Sequence, residues 1–337
     1  MARLIRVIAT GAAVLLAGSA QANDTTAEFA IGGLRFTADS DIAMRAEDLF
    51  ISTEAVRIAY TFRNQSSADK TVTIAFPMPD IVGATHDEEV GLPTENADNL
   101  FDFHVAADGH DVALALDQTA LANNIDQTAR LREAHIPLMP LAAATNAALD
   151  RLPAATQAAF VKLGLASVEE YTDKPDGPME KHLAAAWTLR SAFTWRQTFP
   201  AGRDLHLDQH YKPSVGGSAQ TIIGTKGWRA NEETPAYLKK YCIDRDLVAS
   251  IERAMTRQKL DYPPFGEQRI AYVLKTGANW AGPIGDFHLT IDKGAAANLL
   301  SVCADGVTKT GPTLFEVHRT DFVPKEDLYI LLFVPLS

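Results

Sequence analysis

The sequence predicts a mainly β protein with α insertions, in the α+β class, built as two antiparallel β-sandwich-like units with a helical insertion. Three observations carry that expectation. Apolar and polar residues alternate at period two in several short runs toward both ends of the chain, as in strands buried on one face. The stretch 119–182 is rich in alanine and poor in β-branched residues, which favours helix. Clusters of Asn, Asp, Gly and Pro separate the runs, and each of these residues favours turns for its own backbone reason. A hydrophobic share of 47% and a charged share of 22% are ordinary for a globular chain.

Residues 1–22 have the layout of a cleaved secretory signal peptide. Arg3 and Arg6 give a basic start, Val7 to Ala17 an apolar run, and Ala20-Gln21-Ala22 a small-residue cleavage site. The run is shorter than the roughly 20 residues that cross a bilayer. No later stretch is long and apolar enough, so no transmembrane segment is expected after cleavage. The expected location is outside the cytoplasm. Without Arg3 and Arg6 the formal charge moves from −11 to −13. A surface of that sign repels phosphate backbones, so nucleic acid is not an expected partner.

Residues 23–118 form the expected N-terminal β-rich unit. Glu28 to Thr37 and Asp41 to Ser52 read as a pair of strands. Val56, Ile58, Tyr60 and Phe62 share one parity, as do Val72, Ile74 and Phe76. The polar run Asn64 to Asp69 between them predicts a hairpin. Pro77 and Pro79 remove ladder donors and end its second strand. Leu100 to Ala107 and Asp111 to Leu116 flank Asp108-Gly109, a strong hairpin signal.

Residues 119–182 are the expected helical insertion. Leu152-Pro153 reads as a helix start and Gly164 as a left-handed cap. Ser167 and Glu170 fit a capping box for a short turn. The insertion serves as packing, a lid or a partner surface.

Residues 183–337 form the C-terminal β-rich unit with a helix at about 235–258. Trp187, Leu189, Phe193, Trp195 and Phe199 lie on one parity and predict a core face. Thr234-Pro235 opens a helix, and Asp244 caps a longer one striped by Leu247, Val248, Ile251, Ala254 and Met255. Ile270, Tyr272 and Leu274, then Phe287, Leu289 and Ile291, return to alternation. Asp327 to Pro335 is nearly all apolar and suits a central strand buried on both faces.

The chain has two cysteines, Cys242 and Cys303. In an oxidising compartment an isolated pair joins more often than not; the alternative is two free thiols. A bridge would close a loop of about 60 residues, worth roughly 4 kcal/mol in the chain-entropy model. Neither cysteine lies in a C-x-x-C motif, so a redox enzyme is not indicated.

Leu205-His206-Leu207-Asp208-Gln209-His210-Tyr211 is the strongest chemical candidate. On a strand, His206, Asp208 and His210 share one side, and two imidazoles with a carboxylate can hold a divalent metal. Residues two apart are about 7 Å apart, so the three meet one ion only if the strand bends. The competing reading is an exposed polar face with the leucines inward. No other cofactor is indicated. The chain has no G-x-S-x-G or H-E-x-x-H. His104, His110, His182 and His288 are scattered along it.

Ala46 to Ser52, Val72 to Asp80, His210 to Gly217 and Asn279 to Ile284 occur in an order that resembles an uncharacterised bacterial family, the domain of unknown function 4424 family. The likeness runs from about Asn23 to Ser337. It implies export in Gram-negative bacteria and carries no catalytic residues. Trp280, beside the Gly282-Pro283 turn, either plugs the end of a sandwich or lines a ligand groove, and Tyr211 is the second groove candidate.

The functional expectation is an exported, non-catalytic scaffold that binds a periplasmic protein or a small ligand. Two alternatives stand beside it: a metal-dependent hydrolase using His206, Asp208 and His210, and a structural component of the cell envelope.

Overall fold

The computed structural model describes every residue except 1–24, 28–29, 33–34, 37–40, 84–88, 173–176, 276–280 and 337. The signal peptide expected at 1–22 and the groove candidate Trp280 lie outside the described residues.

The principal strands in chain order are β1 (Ile42–Ile51), β2 (Val56–Asn64), β3 (Lys70–Pro77), β4 (His104–Ala107), β5 (His110–Asp111) and β6 (Ala115–Ala122). They continue with β7 (Ala166–Tyr171), β8 (Glu180–Ala185), β9 (Thr188–Phe199) and β10 (Asp204–Tyr211). The last are β11 (Phe265–Val273), β12 (Ile284–Asp292), β13 (Leu299–Val302), β14 (Leu314–Phe322) and β15 (Leu328–Pro335). The helices are α1 (Thr128–Glu133), α2 (Ala143–Asp150), α3 (Ala154–Lys162), α4 (Thr234–Lys240) and α5 (Arg245–Gln258).

An eight-stranded sheet runs β5-β4-β10-β2-β1-β12-β14 and ends on the short strand Thr308–Lys309. A six-stranded sheet is centred on β6-β9-β3, and a seven-stranded sheet on β13-β15-β11. The inner face of the large sheet packs on both others in one continuous core. Toward the six-stranded sheet, Phe103 stacks between Phe76 at 4.1 Å and Phe193 at 5.3 Å. Toward the seven-stranded sheet, the hydroxyls of Tyr60 and Tyr272 are hydrogen-bonded. The mainly β, α+β class expected from the sequence is what the chain adopts.

The two β-rich stretches are interleaved rather than side by side. β1 and β2 come from the first, while β10, β12 and β14 come from the second, and all five share one sheet. The join is parallel: Leu49 on β1 lies opposite Leu289 on β12. Every other pairing in this sheet is antiparallel.

Two expected pairings are corrected. β2 and β3 do not form a hairpin: β2 pairs with β1 and β10, and β3 with β9. Asn64 explains why. Its buried side-chain amide donates to the carbonyls of Ala68 and Phe199, and its carbonyl accepts from the Ser66 amide. That corner carries the chain from one sheet to another. The hairpin is β1–β2, closed by the Ser52 amide donating to the Ala55 carbonyl at 2.9 Å. Asp41 to Ser52 is therefore not paired with the strands before it. Those short strands, Ala30–Gly32 and Arg35–Phe36, add to β11 and β3 instead.

The insertion holds three helices, but its ends are strands. Thr119 to Ala122 complete β6, and β7 and β8 form a hairpin. Ser167 and Glu170 lie within β7, so no capping box forms there. Gly164 does take the left-handed conformation expected, at φ +73° after α3. The helices enclose a small core with Trp187, whose indole N–H donates to the Leu138 carbonyl at 2.7 Å.

α5 starts where its cap predicts: the Asp244 side chain accepts from the Leu247 amide at 2.7 Å. With α4 it covers the outer face of the seven-stranded sheet, against Leu331 and Phe333. Ile330 and Leu332 face the main core, so β15 is buried on both sides, as its unbroken apolar run requires. Cys242, in the turn between α4 and α5, is bridged to Cys303, just after β13. Among the described residues no helix is long and apolar enough to cross a membrane.

Candidate functional site

The strict alternation of β10 buries Leu205, Leu207, Gln209 and Tyr211 and exposes Asp204, His206, Asp208 and His210. The exposed set lies on the outer face of the eight-stranded sheet. Strand register extends it sideways. One row runs His104, His210, Arg57, Phe50, Thr290 and Glu316 across β4, β10, β2, β1, β12 and β14. The adjacent row runs Ala106, Asp208, Ala59, Asp48, His288 and His318.

Ala59 is small, and its larger neighbours leave an open trough of about 710 Å³ above it. Asp208 and Asp48 stand on the strands to either side of Ala59, roughly 10 Å apart by strand spacing. Beside it, the Arg57 guanidinium lies 3.9 Å from the Phe50 ring centroid. Arg57 makes no ion pair among the described residues, so its donor edge is available. His288 stands 3.4 Å from Asp48 and 3.7 Å from Glu316. At the other end, Asp102 accepts from His104 at 3.1 Å and pairs with Lys212 at 3.3 Å. Those hydrogen bonds, His104 first, hold its carboxyl below the ordinary range. His210 stacks on His104 with ring centroids 4.7 Å apart. Burial, then the His104 charge, lower its pKa against the pull of Asp102 and Asp111.

Of the expected metal residues, Asp208 and His210 line the trough and His206 does not. His206 Nδ1 instead stands 3.2 Å from the Thr61 hydroxyl. Among the described residues no three His, Cys, Asp or Glu side chains form a group able to hold a metal ion. Tyr211 sits at the end of the trough, but its side chain is directed into the core, where its ring lies 5.8 Å from Phe76 and the residue is only 3% exposed. Sequence reasoning missed Arg57, Phe50, Asp48 and Lys212. The first three occupy outward or half-buried positions of alternating strands, and only cross-strand register shows that they meet.

A guanidinium and two carboxylates lining one trough, over a small-residue floor and beside an aromatic ring, suit a ligand that carries both signs of charge. Arg offers a fork that matches a carboxylate, and the two Asp side chains accept from an ammonium.

Three comparisons bear on the whole chain. A family model described as "Domain of unknown function (DUF4424)" matches residues 22–331. No curated protein matches the chain. Among solved structures, a Legionella pneumophila protein described as a "putative nutrient binding protein" is 15% identical, with a TM-score of 0.46 over 92% of this chain and 73% of that one.

Proposed function

We propose that this chain, which belongs to the DUF4424 family, is an exported binding scaffold that holds a small zwitterionic ligand, of the amino-acid or dipeptide class, in the trough over Ala59. One observation carries the reading: the Arg57 guanidinium, stacked on Phe50 and in no ion pair among the described residues, lines the same trough as the carboxylates of Asp48 and Asp208, which stand to either side of Ala59 in the next row. Rigid strands set these side chains, so little ordering entropy is spent on binding. The Cys242–Cys303 bridge supports a location outside the cytoplasm, where such bonds persist.

The test is a thermal-shift screen of the exported protein against free amino acids and dipeptides, followed by calorimetry on any hit. A ligand at 100 times its Kd stabilises the native state by about 2.7 kcal/mol. The expected result is a hit whose shift disappears in Arg57→Ala and in Ala59→Trp, the latter filling the trough. A hit unaffected by both substitutions, or no hit across the screen, overturns the proposal.

A further inference from the structure

His104 and His210 lie directly opposite each other on the antiparallel strands β4 and β10. Residues in that relation have Cβ atoms roughly 5 Å apart, and these two rings are stacked at 4.7 Å, 12° from parallel, on the exposed face. Asp102 adds a third feature. Its Oδ1 is 3.1 Å from His104 Nε2. A carboxylate can only accept, so in this bond Nε2 carries the hydrogen and Nδ1 keeps the lone pair. A carboxylate fixing the tautomer of an imidazole is the arrangement that supports metal-ligating histidines.

We propose that His104 and His210 chelate one divalent first-row transition-metal ion, with Asp102 as the residue that orients His104 and water filling the remaining positions. The site needs no third protein ligand, which agrees with the absence of any three-residue metal group among the described residues. Imidazole nitrogen suits copper, nickel and zinc, and copper binds most tightly in that series. Bonds of about 2.0–2.1 Å to each nitrogen require the stacked rings to turn toward one another. Both rings are exposed. The charged groups around the pair are Asp102, Lys212, Asp111 and Arg57. The two carboxylates favour a bound cation and the two basic groups oppose it. The proposal goes beyond the zwitterion reading and does not rest on it.

The experiment is calorimetric titration of the full chain with nickel, zinc and copper chlorides in a non-coordinating buffer at pH 7, with copper electron paramagnetic resonance. The expected result is one equivalent, tightest for copper, with nitrogen couplings from two imidazoles. His104→Ala and His210→Ala each weaken binding at least about 10-fold, and Asp102→Asn weakens it by about 10–100-fold. His206→Ala, on the same face but beside Thr61, leaves it unchanged. Metal binding is read on the chain without any amino acid or dipeptide present, and the trough screen is read without added metal, so the two results fail independently. Melting curves confirm that the surface variants fold. No stoichiometric metal, or binding that survives the His104→Ala/His210→Ala double substitution, overturns the proposal.

Discussion

At the scale of single residues, a large departure from ordinary chemistry lies inside the core. Glu47 is only 3% exposed, and burial pushes its carboxyl from an ordinary value near 4.5 to about 8. It sits opposite Tyr60, whose hydroxyl is itself pushed well up, by burial first and then by Glu47. The linkage sign follows from proton counting. Between pH 4.5 and 8 the native state keeps a proton that the unfolded chain has lost, so stability falls as pH rises. It is highest below 4.5 and levels off above 8, with a full span of about 5 kcal/mol. Glu47→Gln removes that slope and makes the protein more stable than the parent at pH 8. Urea unfolding of both proteins at pH 5, 6, 7 and 8 measures it; parallel pH profiles would show that Glu47 does not titrate in this window. The sequence holds half of this signal. Glu47 shares parity with Leu49 and Ile51 and so belongs inward, but its residue type argues outward, and only the tyrosines brought in by β2 and β11 show what surrounds it.

At the scale of elements, helices were legible where single residues close their ends, Asp244 by its side chain and Gly164 by its left-handed backbone. Asp244 and Gly164 act within three or four residues, so local sequence is enough to place them. Strands were legible as strands for the same reason, since parity is local. Pairing was not. The corner at Asn64 looks like a hairpin turn because its composition is that of one, and what redirects it is Phe199, 135 residues away. The trough has the same cause: the parity of β10 is visible in the sequence, while its meeting with Arg57, Asp48 and His104 depends on register. The parallel pair β1–β12 depends on a close approach that can be tested. A β-carbon on Gly285 would stand 2.7 Å from the carbonyl oxygen of Arg45, beside the irregularity between Met44 and Ala46. Backbone, not a flexible side chain, would have to move. Gly285→Ala should therefore cost about 1–3 kcal/mol, the usual range for overpacking. A denaturation midpoint unchanged from the parent would mean that β1 and β12 are less tightly joined than the structure has them.

At the scale of the molecule, interleaving decides what can fold alone. The sequence separates into a β-rich, a helical and a β-rich stretch, and each looks self-contained because composition changes at the borders. The sheets ignore those borders. Within residues 23–118, β2 loses β10 and β1 loses β12 if the rest of the chain is absent, which opens two edges on a sheet that is otherwise paired. β3 loses β9, its longest partner. The inner faces of these strands, including Phe62, Ile74 and Phe76, then keep Phe103 but lose Phe199, Phe193 and Tyr272, which all lie in the later stretch. The isolated segment 23–118 should thus remain unfolded, with poor dispersion in its amide NMR spectrum and no cooperative melt. The full chain should unfold in one transition by both circular dichroism and tryptophan fluorescence. The bridge shifts that transition without dividing it. Cys242 and Cys303 both lie in the later stretch, so Cys242→Ser with Cys303→Ser lowers stability by about 2–4 kcal/mol and leaves the two probes coincident. Folding of the 23–118 segment, or separate transitions in the full chain, would show that the shared eight-stranded sheet does not couple the two ends of the sequence.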